Sequence, residues 1–254
     1  MGVEGCCNKK VMEEEALVKK ITGLAAAIGE LPSLSPSPAV NALFTELVTS
    51  CIPASTVDVD ALGPEAQEMR ARLIRLCADA EGHLEAHYSD LLAAHDNPLD
   101  HLTLFPYFNN YIKLSQLEHG LLARHVPGPA PARVAFLGSG PLPLSSLVLA
   151  ARHLPDASFD NYDISGEANE RASRLVRNDA DAGARMAFRT ADVADVTTEL
   201  AGYDVVFLAV PVNNGGLPAQ CAVAVSRPCL GCACELGTRA HQKMKEMAME
   251  EMEA

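Results

Sequence analysis

The sequence predicts an α/β protein: a helical bundle over residues 1–126, a doubly wound parallel-sheet domain over 127–210 that is incomplete on its C-terminal side, and a loop and flexible tail over 211–254. Three observations predict it. Apolar residues recur every three or four positions up to about residue 126, the spacing of buried helix faces. A stiff linker follows, with Pro127, Gly128, Pro129 and Pro131. Behind it, short continuous apolar runs alternate with helical segments, the pattern of strand–helix–strand units with a parallel sheet.

Taken in order, Leu17, Ile21, Leu24, Ile28 and Leu31 form the stripe of a first helix. Pro32, Pro36 and Pro38 interrupt it, and Ser37 is placed to cap a second helix with Pro38 in its first turn. Val40, Leu43, Phe44, Leu47 and Val48 are the inward positions of that helix. A long third helix runs from Pro64 to about His95, with Met69, Leu73, Leu76, Ala80, Leu84, Tyr88 and Leu91 facing inward until Asn97-Pro98 ends it. A fourth covers Tyr107 to His125. The first strand is Arg133 to Gly138, followed by a helix from Leu144 to His153, a strand from Phe159 to Asp163 and a helix from Glu167 to Asn178. Met186–Thr190 and Tyr203–Val210 complete the strands. Beyond them Pro211, Asn213, Asn214, Gly215, Gly216 and Pro218 are loop chemistry, ahead of a Met- and Glu-rich helical tail.

Composition excludes several classes. With 48% hydrophobic and 21% charged residues the chain is not disordered, and a net charge of −13 without a basic stripe argues against a nucleic-acid partner. No run approaches the length of a membrane helix and no signal peptide opens the chain, so the expected location is the cytoplasm. The eight cysteines show no disulfide spacing and are read as reduced thiols. Nothing in the sequence fixes the oligomeric state, and a homo-oligomer is compatible with it.

The sharpest motif is Gly138-Ser139-Gly140-Pro141-Leu142-Pro143, where the first strand gives way to a helix. Glycines there let the backbone turn tightly and approach a ligand. The third glycine of the dinucleotide fingerprint is replaced by Pro143, so a plain strand-to-helix turn competes with a ligand site on the motif alone. Two acids shift the balance. Asp163 ends the second strand, where a carboxylate can accept ribose hydroxyls, and Asp192 follows the third, where it can reach an adenine amino group. This set suits S-adenosylmethionine better than NAD, because no pyrophosphate has to be cradled.

In the helical half, Glu81 and Glu85 are four apart, as are His83 and His87. The His spacing could chelate a metal, but Leu84 stands where a zincin needs Glu, so a solvated helix face is the favoured reading and no metal is expected. Glu85 lies upstream of a Tyr-rich segment, Phe105 to Tyr111, that could form the lid of a pocket above the sheet. Core packing with satisfied hydroxyls is the plainer role for Tyr107 and Tyr111.

Five stretches together resemble plant nicotianamine synthase of the cereal type: Asp96–His101, Phe105–Tyr111, Leu137–Ser146 (LGSGPLPLSS), Asn161–Asp163 and Tyr203–Ala209 (YDVVFLA). The similarity is nearly continuous from Val18 to Ala209. It implies a Rossmann-like S-adenosylmethionine-dependent transferase domain. It also implies an aminobutyrate transfer that condenses three S-adenosylmethionine molecules into nicotianamine, a chelator of iron and zinc, and releases three methylthioadenosines. S-adenosylmethionine is then the substrate, with no further cofactor. The resemblance places the catalytic carboxylate at Glu85 and the catalytic tyrosine at Tyr111, with Tyr107 on the substrate. The same resemblance puts Gly138 and Gly140 against the methionine moiety, Asp163 on the ribose and Asp192 near the adenine, with Ser139 and Pro141 in the same binding set.

After Ala209 the resemblance breaks off: a helix and the strands that complete the family's sheet are missing, as in an internal deletion. Val225–Cys229 and Arg239–Met244 resemble a C-terminal extension of cereal members. The expected consequences are an open apolar edge at the Tyr203 strand and a lost pocket wall, which make the activity of the shortened chain the point to test. The alternatives are another small-molecule methyltransferase, which would release S-adenosylhomocysteine, and a non-catalytic metal-binding or regulatory variant using Cys229, Cys232, Cys234 and His241. Cys6 and Cys7 near the N-terminus fail the myristoylation rule and are read as part of a variable, disordered tip.

Overall fold

A computed structural model describes residues 3–52, 57–125, 128–196, 198–209 and 222–225. The chain divides into two compact units, Met1–His87 and Tyr88–Ala254, with the boundary inside a helix.

The first unit holds α1 (Val3–Gly29), α2 (Pro38–Cys51) and most of α3 (Pro64–Leu92), so the tip around Cys6 and Cys7, expected to be disordered, is instead the first turns of α1. Ser37 caps α2 as its position predicts, its hydroxyl accepting from Val40 N at 3.3 Å, with Pro38 at the helix start. Leu24, Ala25 and Ile28 of α1 bury against Leu47 and Leu73, with Ile21, Leu43, Phe44, Met69 and Leu76 packed around them. Val48, expected inward, is exposed: Leu47 alone occupies that turn of the buried face.

The second unit begins with the last turn of α3, where the buried face rotates. Ser89 and Leu92 are buried there and Leu91, expected inward, is exposed, because this part of the helix packs within a different unit. Asp90 accepts from Arg171 Nε at 3.1 Å and from Arg174 Nη2 at 2.5 Å, and Asn178 Nδ2 donates to the Asp96 carbonyl at 2.8 Å. A 3-10 turn over Pro98–Leu104 leads into α4 (Phe108–His125). By compactness, then, α4 goes with the sheet although it precedes the Pro-rich linker. The reason is its apolar stripe: Leu122 is part of the cluster that covers the sheet.

The strands are β1 (Arg133–Leu137), β2 (Ser158–Asp163), β3 (Met186–Thr190), β4 (Val205–Leu208) and β5 (Ala222–Val225). They run in the order β3-β2-β1-β4-β5, the first four parallel and β5 antiparallel to β4. Helices α5 (Leu144–Arg152), α6 (Gly166–Val176) and α7 (Ala180–Arg185) connect them. β1 is central, which explains its unbroken apolar run: Val134 to Leu137 are all buried. Val134 and Phe136 face Leu147, Leu149, Val176 and Ala182, and Phe136 stacks on its register partner Phe207 at 5.5 Å. Ala135 and Leu137 face the other way, toward Tyr162, Val196, Tyr203 and Val206.

Two further features depart from the sequence reading. The stretch 180–185 forms α7, capped by Asp179. The edge beside β4, expected to be open, is paired by β5 in the register Val205↔Val225 to Leu208↔Ala222. An Ala-Val-Ala-Val segment, short as it is, satisfies the bonding groups that β4 would otherwise present. The Cys- and Met-rich residues beyond it, with Cys229, Cys232, Cys234 and His241, lie outside the described residues, as do Met1 and Gly2.

Candidate functional site

The carboxyl ends of β1, β2 and β3 carry the nucleotide candidates, and β1 sits where the strand order reverses, the usual ligand position in such sheets. Gly138 and Gly140 have φ values of 79° and 67°, in the left-handed region that strains any residue with a Cβ. The turn is stitched to β2. Gly138 N and Ser139 N both donate to the Tyr162 carbonyl, at 2.7 and 3.1 Å, and Gly140 N donates to Asp163 Oδ2 at 2.9 Å.

Asp163 has a second partner. Its Oδ1 accepts from Ser165 N at 2.9 Å, while Ser165 Oγ caps α6 by accepting from Ala168 N. One carboxylate thus joins the glycine turn to the start of α6, and the remaining lone pairs of its oxygens are those a ribose could use. Asp192, exposed and two residues past β3, folds its Oδ1 onto Ala194 N at 2.9 Å. Ser139 is 7% exposed, and its Oγ has no hydrogen-bond partner among the described residues. A hydroxyl in that position, beside two residues without Cβ atoms, fits a ligand lying against the turn.

The Tyr-rich segment forms an aromatic cluster around buried Phe105. The rings of Tyr88, Tyr107 and Tyr111 stand edge-on to it, with centroids at 5.2, 5.8 and 6.0 Å. Tyr107 is 52% exposed, so its ring is held at one edge and open at the other, whereas Tyr111 is half-buried on α4. Glu85 is half-buried on α3 in the first unit, and His83 and His87 are exposed on the same helix. No cluster of three or more metal-ligating side chains occurs among the described residues.

The structure therefore bonds Gly140 directly to Asp163 and holds Gly138 on the neighbouring Tyr162 carbonyl. It sets Asp192 at the neighbouring strand end and gathers Tyr107 and Tyr111 around one ring. Sequence reasoning missed the supports behind this set. Asn169 and Thr190 bridge the ends of β2 and β3, and Tyr203 donates to Asp160 at 2.7 Å while sharing a 2.8 Å bond with Tyr162. Burial, then those two bonds, push the Tyr203 hydroxyl far above the ordinary phenol range, so it acts as a neutral donor. Only the capping position of Ser165 ahead of α6 was a signal that could have located any of this.

An open α/β sheet with a glycine turn at its switch point, and acids after the second and third strands, is a Rossmann-like fold. The comparisons narrow it. The family model described as nicotianamine synthase protein matches residues 7–221, and the chain belongs to that family. It is 71% identical to nicotianamine synthase 9 of Hordeum vulgare over 341 aligned positions, covering 100% of both chains. That alignment is longer than the 254 residues present, so the barley protein contains sequence that this chain lacks. To nicotianamine synthase 3 of Oryza sativa subsp. japonica it is 79% identical over 200 residues, 78% of this chain but 58% of the rice protein. Against this and the other barley relatives, the chain spans less than two thirds of their length. Among solved structures, MtNAS in complex with MTA and tNA shares the fold with a TM-score of 0.60 at 20% identity, over 76% of this chain and 71% of that one. A mutant of MtNAS in complex with S-adenosylmethionine matches with the same TM-score. No helix among the described residues is long and apolar enough to cross a membrane.

Proposed function

We propose that this chain is a nicotianamine synthase, joining three S-adenosylmethionine molecules into nicotianamine with release of three methylthioadenosines. The observation that carries the reading is the left-handed Gly138-Ser139-Gly140 turn closed by Asp163, inside a match to the family that extends over residues 7–221. The binding of S-adenosylmethionine by a fold relative supports it.

Each step forms a carbon–nitrogen bond and breaks a carbon–sulfur bond. In two of the three steps the amine of one aminobutyrate unit attacks the side-chain carbon next to the sulfonium of another S-adenosylmethionine, and in the third an amine attacks that carbon within its own unit and closes a four-membered ring. The sulfonium leaves as the thioether methylthioadenosine, taking the bonding electrons, and the amine gives up a proton. Because the leaving group is already activated, the enzyme's work is to orient the amine and accept that proton. On this reading Glu85 holds the amine and takes the proton, with Tyr111 aiding the transfer. Tyr107 offers its open ring edge to the substrate, Gly138 to Pro141 line the methionine moiety, Asp163 takes the ribose hydroxyls and Asp192 the adenine amino group. S-adenosylmethionine is consumed as substrate, and no resident cofactor or metal is invoked. The negative net charge suits a small-molecule partner rather than nucleic acid, and the proposed site of action is the cytoplasm.

Mass spectrometry after incubation with S-adenosylmethionine tests the reading. Nicotianamine and methylthioadenosine together support it, and a Glu85→Gln variant should lose both by at least about a hundredfold, the usual contribution of a general base. S-adenosylhomocysteine as the product would replace this reading with a methyltransferase.

A further inference from the structure

Asp163 and Asp192 can address one nucleoside only if the ends of β2 and β3 keep a fixed spacing, and one side chain spans those ends. Asn169, near the start of α6, is 6% exposed. Its Nδ2 donates to the Asp163 carbonyl at 3.3 Å and to Thr190 Oγ1 at 3.0 Å. Asp163 and Thr190 are the last register pair of the two strands. The same carbonyl accepts from Ala191 N at 3.1 Å, the first bond past the ladder and one residue short of Asp192. On its other side, the Asp163 carboxylate holds Gly140 N and Ser165 N. The amide thus sits at the joint from which the backbones of both acids depart. Its Oδ1, by contrast, is buried with no hydrogen-bond partner among the described residues. An unmatched buried acceptor is a cost, so packing alone would favour an apolar side chain of this size. What Asn169 supplies here is its pair of N–H donors.

We infer that Asn169 is the positioning residue of the nucleoside site: its bridge from the Asp163 carbonyl to Thr190 Oγ1 sets the spacing of Asp163 and Asp192 and so the affinity for the adenosine portion of the substrate. The affinity clause rests on the reading of those two acids given above, whereas the bridge itself does not.

The experiment uses the full chain and two shape-preserving variants, Asn169→Leu and Thr190→Val. The second removes one acceptor and is the milder change. Peptide-resolved hydrogen exchange reads the bridge, and calorimetric titration with methylthioadenosine reads the site. Both variants should speed exchange in 163–166 and 190–194 alone, and weaken methylthioadenosine by about fivefold to tenfold, as loss of one hydrogen bond would. The double variant should be no weaker than Asn169→Leu, because both changes remove one interaction. Exchange unchanged in those segments, or raised equally everywhere with a falling melting temperature, would reduce Asn169 to ordinary packing and overturn the inference. A wild-type chain that ignores methylthioadenosine would overturn the adenosine assignment, and the exchange result would then decide the bridge on its own.

Discussion

Gly140 and Asp163 show how single residues build the candidate site. Gly140 holds a φ of 67° while donating to Asp163, so a methyl group there opposes both the backbone conformation and the turn. Gly140→Ala should cost about 1–2 kcal/mol by urea denaturation, the penalty of left-handed backbone for a residue with Cβ. A variant as stable as the parent would show that the turn relaxes elsewhere. Asp163→Asn keeps the shape but turns an NH2 group toward either Gly140 N–H or Ser165 N–H. One amide is left unmatched, a loss of about 1–3 kcal/mol that the same measurement reads. The place of Asp163 at the end of the second strand was legible in the sequence, and its proposed role at the nucleoside follows from that place. Its second task, closing the glycine turn, was not, because a hydrogen bond between residues 140 and 163 leaves no periodic trace in sequence.

At the scale of elements, the packing of α4 on α5 carries a pH dependence. His153, just past α5, stacks on His119 of α4 at 4.8 Å, and its Nε2 lies 3.2 Å from Ser115 Oγ. Burial first, then His119 and Arg152, hold its imidazole below the ordinary value of 6.5. The unfolded chain therefore takes up this proton more readily than the folded one. Stability from this group is present above pH 6.5 and declines as pH falls below it. Melting temperature should fall between pH 7.5 and 5.5, and His153→Gln should flatten that slope. An unchanged slope would remove His153 from the account. Elements with a strong signal were legible: β1 through its double-sided burial, α2 through Ser37 and Pro38, α1 through its stripe. α7, six residues of small and charged side chains, has no stripe to read, and β5 is four residues amid Cys, Pro and Gly. The partner of β4 was thus a matter of topology rather than of local pattern.

At the scale of the whole molecule, the chain pairs a family match over residues 7–221 with a length shorter than that of its relatives. Its sheet ends in an antiparallel β5, which pairs the edge of β4. That pairing predicts a chain that stays dispersed. Replacing Val223 by Pro removes a strand N–H and should drive aggregation visible by light scattering, whereas a dispersed variant would make β5 dispensable. Whether catalysis survives the shorter length is the central claim, and product stoichiometry tests it most directly. Purified full chain incubated with S-adenosylmethionine should yield nicotianamine and methylthioadenosine in a ratio of one to three, as condensation of three substrates requires. Methylthioadenosine without nicotianamine, S-adenosylhomocysteine in its place, or no product from folded protein would contradict the account.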